Sequence, residues 1–470
     1  MRRLAASGAV LAALLLAPPS AVAAPLDDTC AGVSPTALPC VGFQKLGERL
    51  AAECRRVGRP ASQCRMPLGR EVADDVVEKY RGSWLHRTAL FQYQLGNAVT
   101  LRNAAWVGTH NSFNSVSDEP TLSKTDSNQQ LSMVDQLESD IRSLEIDLHW
   151  APDLRAGAAP GVIVCHGRGA EEANAGCTNE RPLSEVLPPI ANWLRAHPSV
   201  VVLLYLEDDM DTAPGYARAI QVLDSVLKRS DGSSMIYRPR KSEFTSKGCA
   251  NLPLSATRDT VRARRAQVVL VGNCRAGWSA DVFGWDDVHV ESGATEKYRA
   301  FPECDASYGP DVYAEKLVRY YEDSTWVATV VDPTWKPEDR EAELLNPNRV
   351  REMTRCGVNL FGFDQFLPND GRIEASIWSW AKDQPNSGVG DCAAMLASGR
   401  WATRRCDTKR RTACRTATGF AVTKGAYTWA RGRKVCVERG ERPGRPRTGN
   451  ENSVLRTLAS GELWLDHRVP

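Results

Sequence analysis

Histidine and acidic side chains recur in the first half of the chain at places where short apolar runs end. Glu145 and Asp147 stand two residues apart in one such run, so that in a strand both side chains face the same side. His110 and His166 each follow another run, and two histidines can supply the base and the acid of a proton-transfer reaction. The pattern predicts acid/base catalysis beside a cluster of carboxylates.

Four side chains of this region carry oxygens of the kind that a hard cation binds. Asn111 follows His110, and Glu207 ends a later apolar run. With Glu145 and Asp147 they offer the carboxylate and amide oxygens that Ca²⁺ prefers, and a cation there would stabilise charge on a phosphate or carbonyl oxygen. We therefore predict a site for a hard cation such as Ca²⁺ at these four residues. The alternative is that they are ordinary interior or ion-paired residues.

The elements that must position these groups are eight apolar runs separated by longer polar or amphipathic stretches. Several runs are β-branched and nearly continuous, as expected for strands buried on both faces, and Leu183–Ala196 and Tyr216–Lys228 have helical patterns. This alternation predicts an α/β fold with a (β/α)₈ TIM-type barrel over residues 101–374, whose active site lies at the carboxyl ends of the strands. The runs are Ala104–Gly108, Leu144–Leu148, Val162–Cys165, Val200–Leu206, Gln267–Val271, Val288–Val290, Trp326–Val331 and Val358–Phe363.

Five short motifs follow one another between residues 108 and 167. They are Gly108-Thr109-His110-Asn111-Ser112, Asn128-Gln129, Asp135-Gln136-Leu137, Arg142-Ser143-Leu144-Glu145-Ile146-Asp147 and Cys165-His166-Gly167. Together they resemble the X region of phosphatidylinositol-specific phospholipase C, strongly over residues 100–210 and weakly as far as residue 366. The resemblance implies cleavage of a phospholipid, with phosphatidylinositol expected, in which an internal hydroxyl attacks the phosphorus. It further implies that His110 and His166 are the catalytic acid and base.

The resemblance also bears on the metal. In the metal-dependent branch of the superfamily, calcium is bound by positions that correspond to Asn111, Glu145, Asp147 and Glu207. The metal-independent bacterial branch has an arginine where the carboxylate pair lies, so Glu145-Ile146-Asp147 favours the calcium-dependent branch. The resemblance thus implies Ca²⁺ as the cofactor.

Three further polar residues lie near the predicted catalytic groups. Arg168 is a candidate phosphate contact or a solvated loop residue. Asp364, at the end of the last run, is a candidate substrate-side residue that could instead orient His110 or serve only to close the barrel. His149 is expected to be structural or to support the site indirectly.

Three alternative functions remain for this chain. Glycerophosphodiester phosphodiesterases have His-Arg where this chain has His110-Asn111. Sphingomyelinase D-like enzymes share the E-x-D pair and a His-Gly turn, and the resemblance implies that Cys165 and Cys177 could close a comparable loop. A third alternative is a non-catalytic surface-binding protein that acts through its C-terminal region.

The N-terminus has the pattern of a secretory signal. Arg2-Arg3, the apolar stretch Leu4–Ala17 and the small residues Ala21-Val22-Ala23 predict a signal peptide over residues 1–23, and so a secreted, extracellular protein. The 14 cysteines then predict disulfides, because export leads to an oxidising compartment. Residues 24–100 are expected to form an N-terminal extension packed on the barrel.

Residues 375–470 differ from the preceding region in their recurring tryptophan, glycine and cysteine residues. Asp391-Cys392-Ala393 and Gly399-Arg400-Trp401 resemble the second half of a C-type lectin-like domain, and Tyr427-Thr428-Trp429-Ala430 with Glu462-Leu463-Trp464-Leu465 resemble its first half. We expect a small α+β domain, circularly permuted. The resemblance implies disulfides Cys392–Cys406 and Cys414–Cys436, and makes a carbohydrate or a protein a candidate ligand.

The charge of the chain is unevenly distributed. The formal net charge is only +2, which argues against nucleic-acid binding. Residues 401–470 nevertheless hold 16 Lys or Arg and 6 Asp or Glu, a net charge of +10. This excess predicts docking on an anionic membrane surface or an anionic polymer.

Overall fold

The computed structural model describes residues 75–469, apart from residues 116, 118–126, 168, 175–176, 178–179, 247, 274, 279–280, 286–288, 292–298, 305–315 and 323–344. The predicted signal peptide, residues 24–74 of the predicted extension, Arg168 and the run Trp326–Val331 lie outside the described residues. Within them, no helix is both long and apolar enough to cross a membrane.

Helices and strands follow one another through the described part of residues 76–376. The helices are α1 (Val76–Arg81), α2 (Trp84–Leu95), α3 (Met133–Glu138), α4 (Leu183–Ala196), α5 (Ala213–Val226), α6 (Arg258–Ala263), α7 (Pro347–Cys356), α8 (Arg372–Ser376), α9 (Trp429–Glu438) and α10 (Gly449–Thr457). The strands are β1 (Trp106–Thr109), β2 (Ser143–Asp153), β3 (Ala159–Val164), β4 (Val202–Asp209), β5 (Ala250–Asn251), β6 (Val268–Gly272), β7 (Phe283–Gly284), β8 (His289–Glu291), β9 (Leu317–Tyr321), β10 (Leu360–Phe363), β11 (Cys392–Met395), β12 (Trp401–Arg404), β13 (Arg411–Arg415), β14 (Phe420–Val422), β15 (Arg442–Pro443) and β16 (Leu463–Arg468). The two predicted helices correspond to α4 and α5.

The larger sheet is a curled parallel sheet of the TIM-barrel type. Its strands lie in the order β5-β7-β6-β4-β2-β1-β10-β9-β8, and each neighbouring pair is parallel. The core of β4 and all of β6 are buried, as expected for strands covered on both faces. The predicted α/β barrel fold is therefore confirmed, and the carboxyl ends of its strands meet at one rim.

One predicted barrel strand has a different role. The run Val162–Cys165 belongs to β3, which pairs antiparallel with β2 as a hairpin instead of taking its own parallel place in the barrel. The physical reason is the connection, a single 3₁₀ turn at Leu154–Ala156 followed by Gly157 at φ +75°. A parallel neighbour would require a crossover of a dozen or more residues.

Three described strands of the larger sheet were not predicted from the sequence. Strands β5 and β7 contain two residues each, too few to show an alternating pattern. Strand β9 has the sequence LVRYY, whose central Arg319 breaks the apolar run, yet this arginine is only 5% exposed. Its guanidinium lies over the Trp285 ring at 3.9 Å, which compensates for its burial.

The smaller sheet is formed by the C-terminal residues. Its order is β12-β11-β16-β13-β14, and the short strand β15 pairs antiparallel with Cys414 and Arg415 at the end of β13. The last strand, β16, lies inside the sheet, antiparallel to β11 and parallel to β13. The disulfides Cys392–Cys406 and Cys414–Cys436 are both present, as expected. The similarity of this unit to C-type lectin-like domains remains a prediction.

Helix α2 lies between the two sheets. Phe91 and Leu95 pack into the apolar core of the C-terminal unit, whereas Tyr93 packs against the barrel core. On the C-terminal side, Asn450 donates to the backbone oxygen of Arg355 at the end of α7, shortly before β10 begins. The C-terminal unit therefore packs at the amino ends of the parallel strands and leaves the opposite rim uncovered by this unit.

Candidate active site

Polar side chains of β2 and β4 lie next to one another at the rim of the barrel. The register places Asp147 opposite Glu207 and His149 opposite Asp209. Because alternate residues of a strand share a face, Glu145 points to the same side of the sheet as Asp147. Carboxylate oxygens of Glu145, Asp147 and Glu207 lie within 4.8 Å of one another, so the structure brings together the three predicted carboxylate ligands.

The three carboxylates are electrostatically crowded. Burial raises the pKa of Glu145 to about 8, an effect that His110 reduces and Glu207 increases. Burial, Glu207 and Glu145 raise the pKa of Asp147 well above its usual range, and burial also raises the pKa of Glu207. The buried Glu145 and Asp147 and the half-buried Glu207 oppose ionisation within the cluster, and a bound divalent cation would relieve that repulsion.

Asn111 completes the oxygen set. Its backbone has φ +43° and its N–H donates to Glu145 Oε2 at 3.2 Å. Its side-chain amide lies against Asp147, 2.9 and 3.1 Å from the two carboxylate oxygens, to which the nitrogen donates when it faces them. Turned by 180°, the same amide presents its oxygen. Carboxylate and amide oxygens together are a donor set that fits Ca²⁺.

His110 stands beside the carboxylate cluster. Its Nδ1 lies 3.1 Å from Asp364 Oδ1, and its Nε2 lies 4.0 Å from Glu145 Oε2. The side chain is 15% exposed, whereas that of Asp364 is fully buried. The carboxylate thus holds one ring nitrogen and aims the other toward the Glu145 side of the site, an arrangement that suits a histidine that exchanges protons.

Asp364 is itself held by several groups. Asn128 donates through Nδ2 to both carboxylate oxygens of Asp364, at 3.2 and 3.3 Å. The backbone N–H of Asp364 donates to Glu322 Oε2 at 2.7 Å. Arg372 pairs with Glu322 at 2.7 Å and donates to the Asp364 backbone oxygen. Sequence reasoning missed Glu322 and Arg372, since neither belongs to a recognised motif.

We predict a large loss of stability when Arg372 is replaced by methionine. Arg372 is 1% exposed and pairs with Glu322 and Asp370, which are also buried. Its removal leaves two buried carboxylates without their cation, a change that costs about 3–5 kcal/mol of unfolding free energy. Denaturant unfolding followed by circular dichroism measures the difference.

The matched control is Arg405→Met in the C-terminal unit. Arg405 pairs with Asp407 at 2.9 Å, but both side chains are about two-thirds exposed or more. Such surface pairs contribute ~1 kcal/mol or less. Equal effects of Arg372→Met and Arg405→Met would show that the buried network does not stabilise the rim.

His166 reaches this region by a route that the barrel prediction did not include. Strand β3 runs back along β2, with Val164 opposite Leu148, so the chain heads toward the carboxylates as it leaves the strand. His166 follows two residues later and is half-buried, and the neighbouring Cys165 is bridged to Cys177. The hairpin, not a parallel strand end, therefore carries the second predicted catalytic histidine.

His149 lies in a second polar pair above the carboxylates. The side chain is fully buried, with Nε2 at 3.7 Å from Asp209 and Nδ1 at 3.3 Å from Asn174 Oδ1. Burial lowers its pKa below the usual histidine value, although Asp209 opposes that effect. His149 lies beside the bridged Cys165 and Cys177, and its supporting role stays a prediction.

Comparison with known proteins places these residues in a wider context. A family model described as "Rv2075c PI-PLC-like domain" matches residues 65–370. Two curated relatives, the uncharacterized proteins MT2135 and Rv2075c from two strains of Mycobacterium tuberculosis, are each 49% identical over 459 residues. The matched region is 97% of this chain and 93% of each relative, so the similarity extends through the C-terminal unit.

Solved structures with a similar fold include three bacterial phospholipases C. A phosphatidylinositol-specific enzyme from Listeria monocytogenes has a TM-score of 0.40 and 18% identity, over 62% of this chain and 97% of that chain. One from Staphylococcus aureus has a TM-score of 0.40 and 12% identity, over 64% of this chain and 98% of that chain. A calcium-dependent phosphoinositol-specific enzyme from a Pseudomonas species has a TM-score of 0.32 and 14% identity, over 60% of this chain and 94% of that chain.

Proposed function

Because this chain belongs to the family of Rv2075c PI-PLC-like domains, we propose that it is a phosphodiesterase of phospholipase C type that cleaves phosphatidylinositol. The observation that supports this most is one cluster at the barrel rim. There His110, oriented by the buried Asp364, stands next to the carboxylates of Glu145, Asp147 and Glu207. With a metal on its carboxylates, such a site would combine proton transfer with stabilisation of phosphate charge.

The proposed cofactor is Ca²⁺. It would be held by oxygens of Asn111, Glu145, Asp147 and Glu207 and would supply positive charge for the phosphate oxygens. The support for this comes from the donor set and from the raised pKa values of the buried carboxylates. A metal held there would keep these carboxylates ionised next to the ring of His110.

The proposed chemistry is an internal displacement at phosphorus. A hydroxyl of the headgroup loses its proton to His110, whose Nδ1 stays on Asp364, and its oxygen forms a bond to phosphorus. The bond between phosphorus and the diacylglycerol oxygen breaks, and His166 gives that oxygen a proton. The products are a cyclic phosphodiester and a neutral diacylglycerol, so atoms and charge balance.

We propose that the enzyme works outside the cell. The signal-like residues 1–23 and the disulfides Cys165–Cys177, Cys304–Cys356, Cys392–Cys406 and Cys414–Cys436 support export to an oxidising compartment. Expression with the signal should place the processed protein, beginning near residue 24, in the culture medium. Protein that keeps residues 1–23 inside the cell would argue against export.

The substrate class is tested with the purified disulfide-bonded protein. We expect it to release a phosphorylated inositol headgroup from phosphatidylinositol in detergent micelles with Ca²⁺ present, measured by phosphorus NMR. Sphingomyelin and glycerophosphocholine serve as parallel substrates. Failure to hydrolyse any of the three would contradict an enzymatic role and favour the surface-binding alternative.

A sphingomyelinase D-like activity is the second candidate. The observation that favours it is the Cys165–Cys177 disulfide, which that alternative led us to expect. Release of choline from sphingomyelin, with phosphatidylinositol left intact, would select it over the phospholipase C proposal.

A further inference from the structure

Arginines of the C-terminal unit line a concave surface at the amino ends of the barrel strands. Two cavities of about 350 and 390 Å³ share Arg445 and Arg447 as lining residues. The first also contacts Arg262 of the barrel unit, and the second contacts Arg442. We call this surface the basic groove and define it by Arg262, Arg442, Arg445 and Arg447. None of these residues belongs to the proposed catalytic site.

Three of the four arginines of the basic groove are not neutralised by nearby carboxylates. The carboxylates in or beside it are already paired with arginines: Asp466 with Arg433, Glu451 with Arg415 and Asp259 with Arg262. Among the described residues, Arg442, Arg445 and Arg447 form no ion pair. Three guanidinium groups are therefore available for an external anion.

The backbone that carries these arginines is held in place. Gly444 donates to the Ala413 backbone oxygen at 3.0 Å and accepts from the Asp466 N–H at 2.9 Å. A side chain at Gly444 would lie 2.8 Å from the Arg415 backbone nitrogen, so only glycine fits there. Pro443 and Pro446 limit the flanking backbone. A fixed backbone reduces the conformational entropy that this segment loses on binding.

His467 indicates the electrostatic character of the groove. Burial and the adjacent Arg445 lower the pKa of His467 to about 4, so at neutral pH it carries no charge. Its ring packs on Phe91 at 5.1 Å, and its Nδ1 lies 3.3 Å from Arg445 Nη1. The groove thus places Arg445 beside the aromatic rings of His467 and Phe91.

We propose that the basic groove binds a linear polyanion whose repeating charge is phosphate. Guanidinium groups bind phosphate oxygens bidentately, and adjoining cavities fit a chain better than a flat bilayer. The groove contains none of the large hydrophobic residues that are exposed in the described part of the chain, namely Leu154, Val389, Val437, Val454 and Leu458. It also faces away from the rim, so binding there would hold the protein on a polymer and leave the catalytic end free.

The test uses fluorescently labelled inorganic polyphosphate and polarisation measurements on the full-length processed protein. The wild type is expected to bind, with affinity that falls steeply as NaCl rises from 50 to 500 mM. The triple variant Arg442→Gln/Arg445→Gln/Arg447→Gln is expected to bind at least ~10-fold more weakly. Headgroup release from detergent micelles should be unchanged in this variant, which separates the groove from the catalytic site.

The matched control removes the same amount of charge elsewhere in the unit. Arg405, Arg431 and Arg439 are each paired with a carboxylate outside the groove. The triple variant Arg405→Gln/Arg431→Gln/Arg439→Gln should keep most of the binding. Equal losses in both triple variants would overturn the proposal in favour of general charge attraction.

A single-arginine variant and a vesicle-binding experiment complete the test. If the groove triple variant does not fold by circular dichroism, the single variant Arg447→Gln, at an exposed position, replaces it and should weaken binding measurably. Binding to phosphatidylglycerol vesicles that depends on the three arginines, without binding to polyphosphate, would overturn the proposal and identify a membrane site.

Discussion

Replacement of His110 by alanine is expected to lower the turnover of phosphatidylinositol at least ~10²-fold, the usual scale of general acid/base catalysis. The reason is geometric, because His110 is held through Nδ1 by Asp364 and directs Nε2 toward Glu145. Alanine removes the proton acceptor while leaving the carboxylate cluster in place. Steady-state release of the inositol headgroup measures the loss.

Two companion variants sharpen this prediction. His166→Ala should cause a loss of similar size, since the proposed reaction needs one histidine to take a proton and another to give one. Asp364→Asn keeps the shape but not the charge, and should lower turnover by roughly 10–100-fold with an altered pH profile. The control is His197→Ala, whose ring stacks on Trp193 away from the rim. Full activity in His110→Ala would rule out its catalytic assignment.

Substitution of Asp147 by asparagine is expected to have the second large effect, the loss of calcium-dependent activity. Asp147 lies within the carboxylate cluster and against the Asn111 amide, so its charge is central to the proposed metal site. Loss of several kcal/mol of charge stabilisation corresponds to ~10²-fold or more in rate. Chelation of the wild type should reproduce the loss, and added Ca²⁺ should restore it.

Calorimetric titration with Ca²⁺ gives a readout that does not depend on activity. Wild type should bind one equivalent, and Asp147→Asn should bind far more weakly. Asp211→Asn is the control, because Asp211 is half-exposed and pairs with Arg275 outside the cluster. Unchanged hydrolysis after chelation would leave the enzyme proposal standing but remove the metal from it.

Several features could be predicted from the sequence because local rules govern them. Glu145 and Asp147 share a face since a strand has a period of two, and their buried position follows from the apolar residues between and around them. The disulfides Cys392–Cys406 and Cys414–Cys436 followed from a motif resemblance and are both present. The barrel could be predicted because continuous apolar runs alternate with helical patterns.

Other features depend on contacts between distant parts of the chain. The support of Asp364 comes from Asn128 and from Glu322, 236 and 42 residues away. Nothing in the local sequence of Glu322 or Arg372 indicates that they are buried as an ion pair. A side chain's burial and partners are set by which strands become neighbours, and that order is a property of the whole sheet.

The residue types, their order along the chain and the period of each strand were determined by the sequence alone, and with them the proposed catalytic chemistry. Only the tertiary structure decided that β3 returns along β2 with His166, and that the cationic C-terminal unit packs opposite the rim. The physical reason is that local propensity specifies how a segment folds, whereas the burial of apolar faces against distant segments specifies where it lies.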